Sequence, residues 1–132
     1  MYRPSSLMKK LLLLLCLLSA GRFCAQVKNV DAAEFKKLID EKKYVLIDLR
    51  TSEEIQKKGM IKGARQIDFL AKDAEATIEK LDHNTPYLIY CAGGGRSGEC
   101  GELMQKQGFK TVINLEKGFS EWTAKGMEVE KK

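Results

Sequence analysis

Cys91-Ala92-Gly93-Gly94-Gly95-Arg96-Ser97 places a thiol, three consecutive glycines, a guanidinium and a hydroxyl in one short stretch, directly after the apolar run Tyr87-Leu88-Ile89-Tyr90. Glycines allow successive backbone N–H groups to turn toward a common point, which favours an anion. The residues after Ser97 read as a helix, whose positive end faces the same point. A cysteine in such a field is expected to ionise near neutral pH, and the thiolate is the nucleophilic form. The pattern points to chemistry on a sulfur or an oxyanion with Cys91 as the attacking group. A cysteine that merely filled space would have no use for the glycine triplet.

The elements around this stretch alternate between strand and helix. Val27 to Val30 reads as a weak first strand, and Asp31 caps a helix to about Asp40 with Ala32, Phe35 and Leu38 on one face. Tyr44-Val45-Leu46-Ile47 is a continuous apolar run, the pattern of a strand buried on both faces, and it leads into Asp48-Leu49-Arg50. Thr51 caps a short helix with Glu53, Glu54 and Ile55 that stops at Gly59, followed by a brief strand at Ala64 to Ile67 and a helix from Asp73 to Leu81. A turn ending at Pro86 precedes the Tyr87 to Tyr90 strand. Gly98 to Gln107 then reads as a helix closed by Gly108, with Ser97 as its N-cap. Val112 to Leu115 is a further strand and Phe119 to Ala124 a last short helix. Repeated βα units imply a parallel sheet with helices on both faces, and ligands gather beyond the carboxyl ends of such strands. Cys91 falls at that edge.

Composition narrows the setting. The chain has 132 residues, enough for one domain. Met8-Lys9-Lys10, the apolar stretch Leu11 to Leu18 and the small residues Ser19-Ala20-Gly21 form the pattern of a secretory signal peptide, expected over residues 1–25 with a cut after Ala25. That apolar stretch is shorter than the roughly 20 residues a membrane-spanning helix needs. A mature domain over 26–132, exported to a periplasm or the outside and without a stable membrane anchor, is the expectation. The leader holds Arg3, Lys9, Lys10 and Arg22 and no acid, so of 23 basic and 18 acidic residues the mature chain keeps 19 and 18, a net charge near +1 rather than +5. That balance gives no reason to expect nucleic acid as a partner. Removing the leader also takes Cys16 and Cys24. Cys91 and Cys100 remain, too few for a disulfide framework, and with His83 as the sole histidine they make no zinc site. No metal or cofactor is expected.

Three separated pieces give the chain a family resemblance. Ile47-Asp48-Leu49-Arg50 with Glu54, Gly59, Ile61, Gly63 and Ala64 is the first, the Cys91–Ser97 loop the second, and Gly108-Phe109, Val112, Leu115, Gly118, Trp122 and Gly126 the third. Together they resemble the rhodanese-like domain of the sulfurtransferase superfamily, over roughly residues 28–128. The resemblance implies a three-layer α/β fold, with a central, mostly parallel five-stranded sheet flanked by helices on both faces. Met60 stands where the family usually has histidine, Lys117 where it often has the first of two glycines, and Cys100-Gly101 where it usually has two small alanines. Cys100 is thus expected to be a small buried residue, the alternative being a resolving thiol for Cys91.

The resemblance also implies a reaction. The six positions from Cys91 to Arg96 suit a sulfane sulfur carried on the cysteine, whereas the related phosphatase loop is one residue longer. A phosphatase also needs a positioned acid for its leaving group, and none stands within the loop. The expected chemistry is attack by the Cys91 thiolate on a small sulfur donor, thiosulfate or a persulfide, to leave a cysteine persulfide, followed by transfer to a thiol or cyanide acceptor. Ala92, Gly93, Gly94, Gly95, Arg96 and Ser97 would surround the bound sulfur or anion. Arg96 either binds the donor's oxyanion or braces the loop by hydrogen bonds to neighbouring backbone. Asp48 and Arg50 are expected to support the loop. A non-catalytic module that holds a persulfide or senses oxidation is the competing reading. His83 is expected in solvent, Glu53 and Glu54 as helix N-terminal charges, Phe119 and Trp122 in the core, and Lys57, Lys58 and Lys62 on a solvated face.

Overall fold

The computed structural model describes residues 3–10 and 26–132. Five strands, β1 (Lys28–Val30), β2 (Val45–Asp48), β3 (Arg65–Gln66), β4 (Tyr87–Tyr90) and β5 (Val112–Leu115), form one sheet in the order β1-β5-β4-β2-β3. Every pairing is parallel. Within residues 26–132 the helices are α1 (Ala32–Asp40), α2 (Ser52–Lys58), α3 (Ala74–Glu79), α4 (Gly95–Lys106) and α5 (Gly118–Ala124). The two edge strands are the shortest, which limits the unpaired backbone an edge exposes.

The apolar runs sort onto two faces by strand alternation. From β4, Leu88 and Tyr90 join Phe35 and Leu38 of α1 and Phe119 and Trp122 of α5. Tyr87, Ile89 and Cys91 point the other way, among Ile78 of α3 and Cys100 and Met104 of α4. Leu88 and Ile89 are wholly buried, so neither side of the central strand meets water. Burying each such side chain is worth about 1.5–3 kcal/mol. Phe35 meets both Tyr90 and Trp122 edge-on, with ring centroids 6.2 and 6.3 Å apart.

Local signals set the helix starts on one flank. The Asp31 carboxylate accepts from Glu34 N at 2.9 Å. Thr51 and Glu54 form a reciprocal capping box at α2. Two expectations fail in detail. Helix α3 begins at Ala74 with no side-chain cap from Asp73 and ends at Glu79, because the turn to Pro86 takes up the chain sooner. Helix α4 begins at Gly95, three residues before the expected start, so Ser97 lies within its first turn and Gly94 takes the cap position. The apolar stretch expected to form a leader and the expected cut after Ala25 lie outside the described residues. Among the described residues, no helix is long and apolar enough to cross a membrane.

Candidate functional site

Strand β4 ends at Tyr90, and the chain turns sharply to bring Cys91 under the first turn of α4. The loop's carbonyls are tied outward: Phe119 N donates to Cys91 O at 2.9 Å, and Ser120 N and Oγ both donate to Ala92 O at 3.0 Å. The N–H groups are left facing inward. Gly94 N lies 3.1 Å and Ser97 N 3.4 Å from Cys91 Sγ, and Ser97 Oγ lies 3.3 Å from it. Gly94 makes this turn with φ of 105°, and a Cβ there would run into the carbonyl of Glu116. Only glycine fits both demands.

The sulfur is 1% exposed as part of its residue, so burial alone would push its pKa up. Hydrogen bonds from the Ser97 hydroxyl and from the N–H groups of Ser97, Gly94 and Gly93 outweigh that, and the Cys91 thiol lies below its ordinary value. The Ser97 hydroxyl is also 3.3 Å from Gly94 O. Its single proton can serve that carbonyl while Cys91 is a thiol, and swing to the sulfur when Cys91 is a thiolate.

Arg96 extends from the first turn of α4 to α2. Its Nη1 and Nη2 donate to the two carboxylate oxygens of Glu54 at 2.8 and 2.7 Å. Its partner is thus a carboxylate on another helix rather than the loop backbone. Glu54 does two tasks at once, since the same carboxylate accepts from Thr51 N and Oγ at 3.0 Å. The Arg96 guanidinium, then the Thr51 donors, hold the Glu54 carboxyl at about 2 despite partial burial. Sequence marks Glu54 as part of the family-like stretch and as a helix N-terminal charge, but nothing local in it joins Glu54 to Arg96.

A second ion pair is fully buried. Arg50 donates from Nε to Asp48 Oδ1 at 3.0 Å and from Nη2 to Oδ2 at 2.7 Å, and Nη2 also reaches Gly59 O at 2.7 Å. Tyr90 Oη donates to Asp48 Oδ2 at 2.6 Å and accepts from Ile61 N at 3.0 Å. The guanidinium lies over the Phe119 ring at 3.9 Å. Asp48 and Arg50 therefore reach the loop through its neighbours, Tyr90 just before Cys91 and Phe119 bonded to the Cys91 carbonyl. The pairing of Asp48 with Tyr90 across adjacent strands was not evident from sequence, because it depends on β2–β4 register.

The remaining candidates separate cleanly. His83 is half-buried rather than in solvent, its ring tilted by 31° against Phe109 at 4.1 Å, with Nε2 2.9 Å from Glu79 O. It precedes β4, at the opposite end of that strand from Cys91. Glu53 forms an exposed pair with Lys57. Phe119 and Trp122 are buried. Cys100 is buried and free, and burial followed by the nearby Cys91 pushes its thiol up to about 12. Among the described residues, no three His, Cys, Asp or Glu side chains are grouped to hold a metal ion. A cavity of about 390 Å³ opens beside the loop at Ala92, bounded by Arg50, Glu54, Lys57, Lys58, Phe119 and Lys131 among others.

The chain is similar to known proteins over most of its length. Residues 31–125 match the rhodanese-like domain family. Over 99 residues the chain is 37% identical to the Bacillus subtilis strain 168 protein named "Putative sulfurtransferase YtwF", covering 74% of this chain and 91% of that protein. It is 31% identical over 102 residues to "Putative sulfur carrier protein YrkF" of the same organism, covering 76% of this chain but only 54% of that longer protein. The crystal structure of a rhodanese-like domain protein from Staphylococcus aureus superposes with a TM-score of 0.65 at 30% identity, over 80% of this chain and all of that one.

Proposed function

We infer that this chain, which belongs to the rhodanese-like domain family, is a sulfurtransferase that carries sulfur as a persulfide on Cys91. The observation that carries the reading is the set of donors around Sγ: Gly94 N, Ser97 N and Ser97 Oγ all lie within 3.4 Å. They stabilise a thiolate before reaction, and after it the loop N–H groups face the charge on the outer sulfur. The Cys91 thiolate attacks the outer sulfur of thiosulfate, the S–S bond of the donor breaks, and sulfite leaves with the electron pair. A thiol or cyanide then takes the outer sulfur and returns Cys91 to the thiolate. No electrons are gained or lost by the protein over the cycle.

Phosphatase chemistry is less well served. The acid bonded to the loop's Arg96 is Glu54, and its carboxyl is held at about 2, so at neutral pH it has no proton to give a leaving group. For Arg96 to hold a donor's oxyanion it must share or release Glu54. Its more direct role is to tie the loop to α2.

The test is steady-state transfer from thiosulfate to cyanide, run beside Cys91→Ala. Turnover in the wild type with double-displacement kinetics, absent from the variant, is expected. Sulfur uptake without turnover would instead favour a persulfide-holding or redox-sensing module. The reading includes export of the domain through the leader at 1–25, which N-terminal sequencing of protein recovered outside the cytoplasm would test.

A further inference from the structure

The cavity beside the loop has one wall made by a segment that the transfer chemistry leaves unused. After α5 the chain doubles back: Trp122 Nε1 donates to Glu128 O at 2.9 Å, and Met60 and Glu130 exchange backbone hydrogen bonds of 2.8 Å in an isolated antiparallel bridge. This strap crosses Gly59, where φ is 78° and a Cβ would lie 2.5 Å from Val129 Cγ1. The same Gly59 carbonyl receives Arg50. Held at both points, the strap delivers Lys131 to the cavity.

Charge bookkeeping around the cavity leaves a lysine excess. Arg50 is matched by Asp48 and Glu54 by Arg96. Lys57 has Glu53 as an exposed partner. Among the described residues, no carboxylate forms an ion pair with Lys58 or Lys131. The cavity also offers the Phe119 ring and Thr123 to an apolar body. At about 390 Å³ it falls in the range of small-molecule sites, well beyond what thiosulfate or cyanide would fill.

We propose that the C-terminal strap is a specificity wall, and that Lys58 and Lys131 hold the carboxylates of a peptide-sized thiol acceptor. This rests on the sulfurtransferase reading and names its acceptor class. The acceptor's thiolate forms an S–S bond to the outer sulfur of the Cys91 persulfide. The inner S–S bond breaks, its electron pair returns to Cys91 as thiolate, and the outer sulfur keeps its negative charge in the acceptor persulfide. Neither lysine touches the reacting sulfur. Each acts on the acceptor's remote charge.

The test uses glutathione as the charged acceptor, 2-mercaptoethanol as the neutral one, and S-methylglutathione as a ligand that binds without accepting sulfur. In the Lys58→Ala/Lys131→Ala double variant, the preference in kcat/KM for glutathione over 2-mercaptoethanol should fall about tenfold, and Kd for S-methylglutathione by calorimetry should rise by about as much. The corresponding double arginine variant should restore both. An unchanged preference and Kd in the double alanine variant would overturn the proposal while leaving sulfur transfer intact. So would failure of the wild type to bind S-methylglutathione. A wild type that binds S-methylglutathione through these lysines but transfers no sulfur would sink the transfer reading and leave the anionic-ligand site standing.

Discussion

Cys91 and Cys100 are nine positions apart, both free, and each is 1% exposed, yet their thiols are displaced in opposite directions. Burial raises both. The difference lies in what faces the sulfur. Cys91 sits where β4 gives way to the left-handed turn at Gly94 and the first turn of α4, with N–H groups and a hydroxyl aimed at it. Cys100 sits one and a half turns further along α4, where every N–H is already spent inside the helix and the neighbours are Ile78, Ile89 and Met104. Depth in the core therefore does not decide thiol reactivity. The supply of unspent donors does, and a loop entering a helix is where a fold has them to give.

The strongest way to break this contrast is to remove what the Cys91 side stands on. Arg50→Met leaves Asp48 buried with the Tyr90 hydroxyl and the Arg50 backbone N–H as its remaining donors. Loss of one partner of a buried pair costs about 3–5 kcal/mol. The urea midpoint should fall accordingly, whereas Cys100→Ala, which trims a small apolar contact, should cost about 1 kcal/mol.

Ser97→Ala sharpens the contrast without disturbing the fold at large. It removes one hydrogen bond to the sulfur and no helix cap. Alkylation of Cys91 by iodoacetamide at pH 7 should slow about tenfold, with its pH profile moved upward, while Cys100 stays unlabelled in both proteins. Equal labelling of the two cysteines would mean the donors around Cys91 do not set its ionisation.

The smallest effect concerns Glu54. Its folded pKa of about 2 lies below the ordinary 4.5, so its pairing stabilises the fold above pH 4.5 and loses that contribution as pH falls toward 2. Because the pair is partly exposed, Glu54→Gln should cost no more than about 1 kcal/mol near neutrality. Urea midpoints of variant and wild type should converge by about pH 2. A gap that persists there would assign the stabilisation to something other than the ion pair.

Much of the fold was legible because its signals are local. Five strand segments and their parallel sheet are legible along the chain, Asp31 and Thr51 announce their helices, and Cys91 with its glycines marks the loop, whereas the sheet order β1-β5-β4-β2-β3 is not. The misreadings are equally physical. Gly95 reads as loop because it belongs to the glycine triplet that turns its N–H groups inward, but the preceding left-handed Gly94 lets the helix start at once. The Arg96–Glu54 pair spans 42 positions, as does the Tyr90–Asp48 bond. Neither follows from spacing along the chain. The polar turn around His83 points to solvent, while the Phe109 ring that covers it arrives from just beyond the C-terminal end of α4.

The most direct test of the central claim is peptide mapping by mass after the reduced protein is treated with thiosulfate. One added sulfur on the peptide containing Cys91 and none on Cys100 is the predicted result. A folded protein that gains no sulfur, or gains it equally at Cys100, would contradict the account.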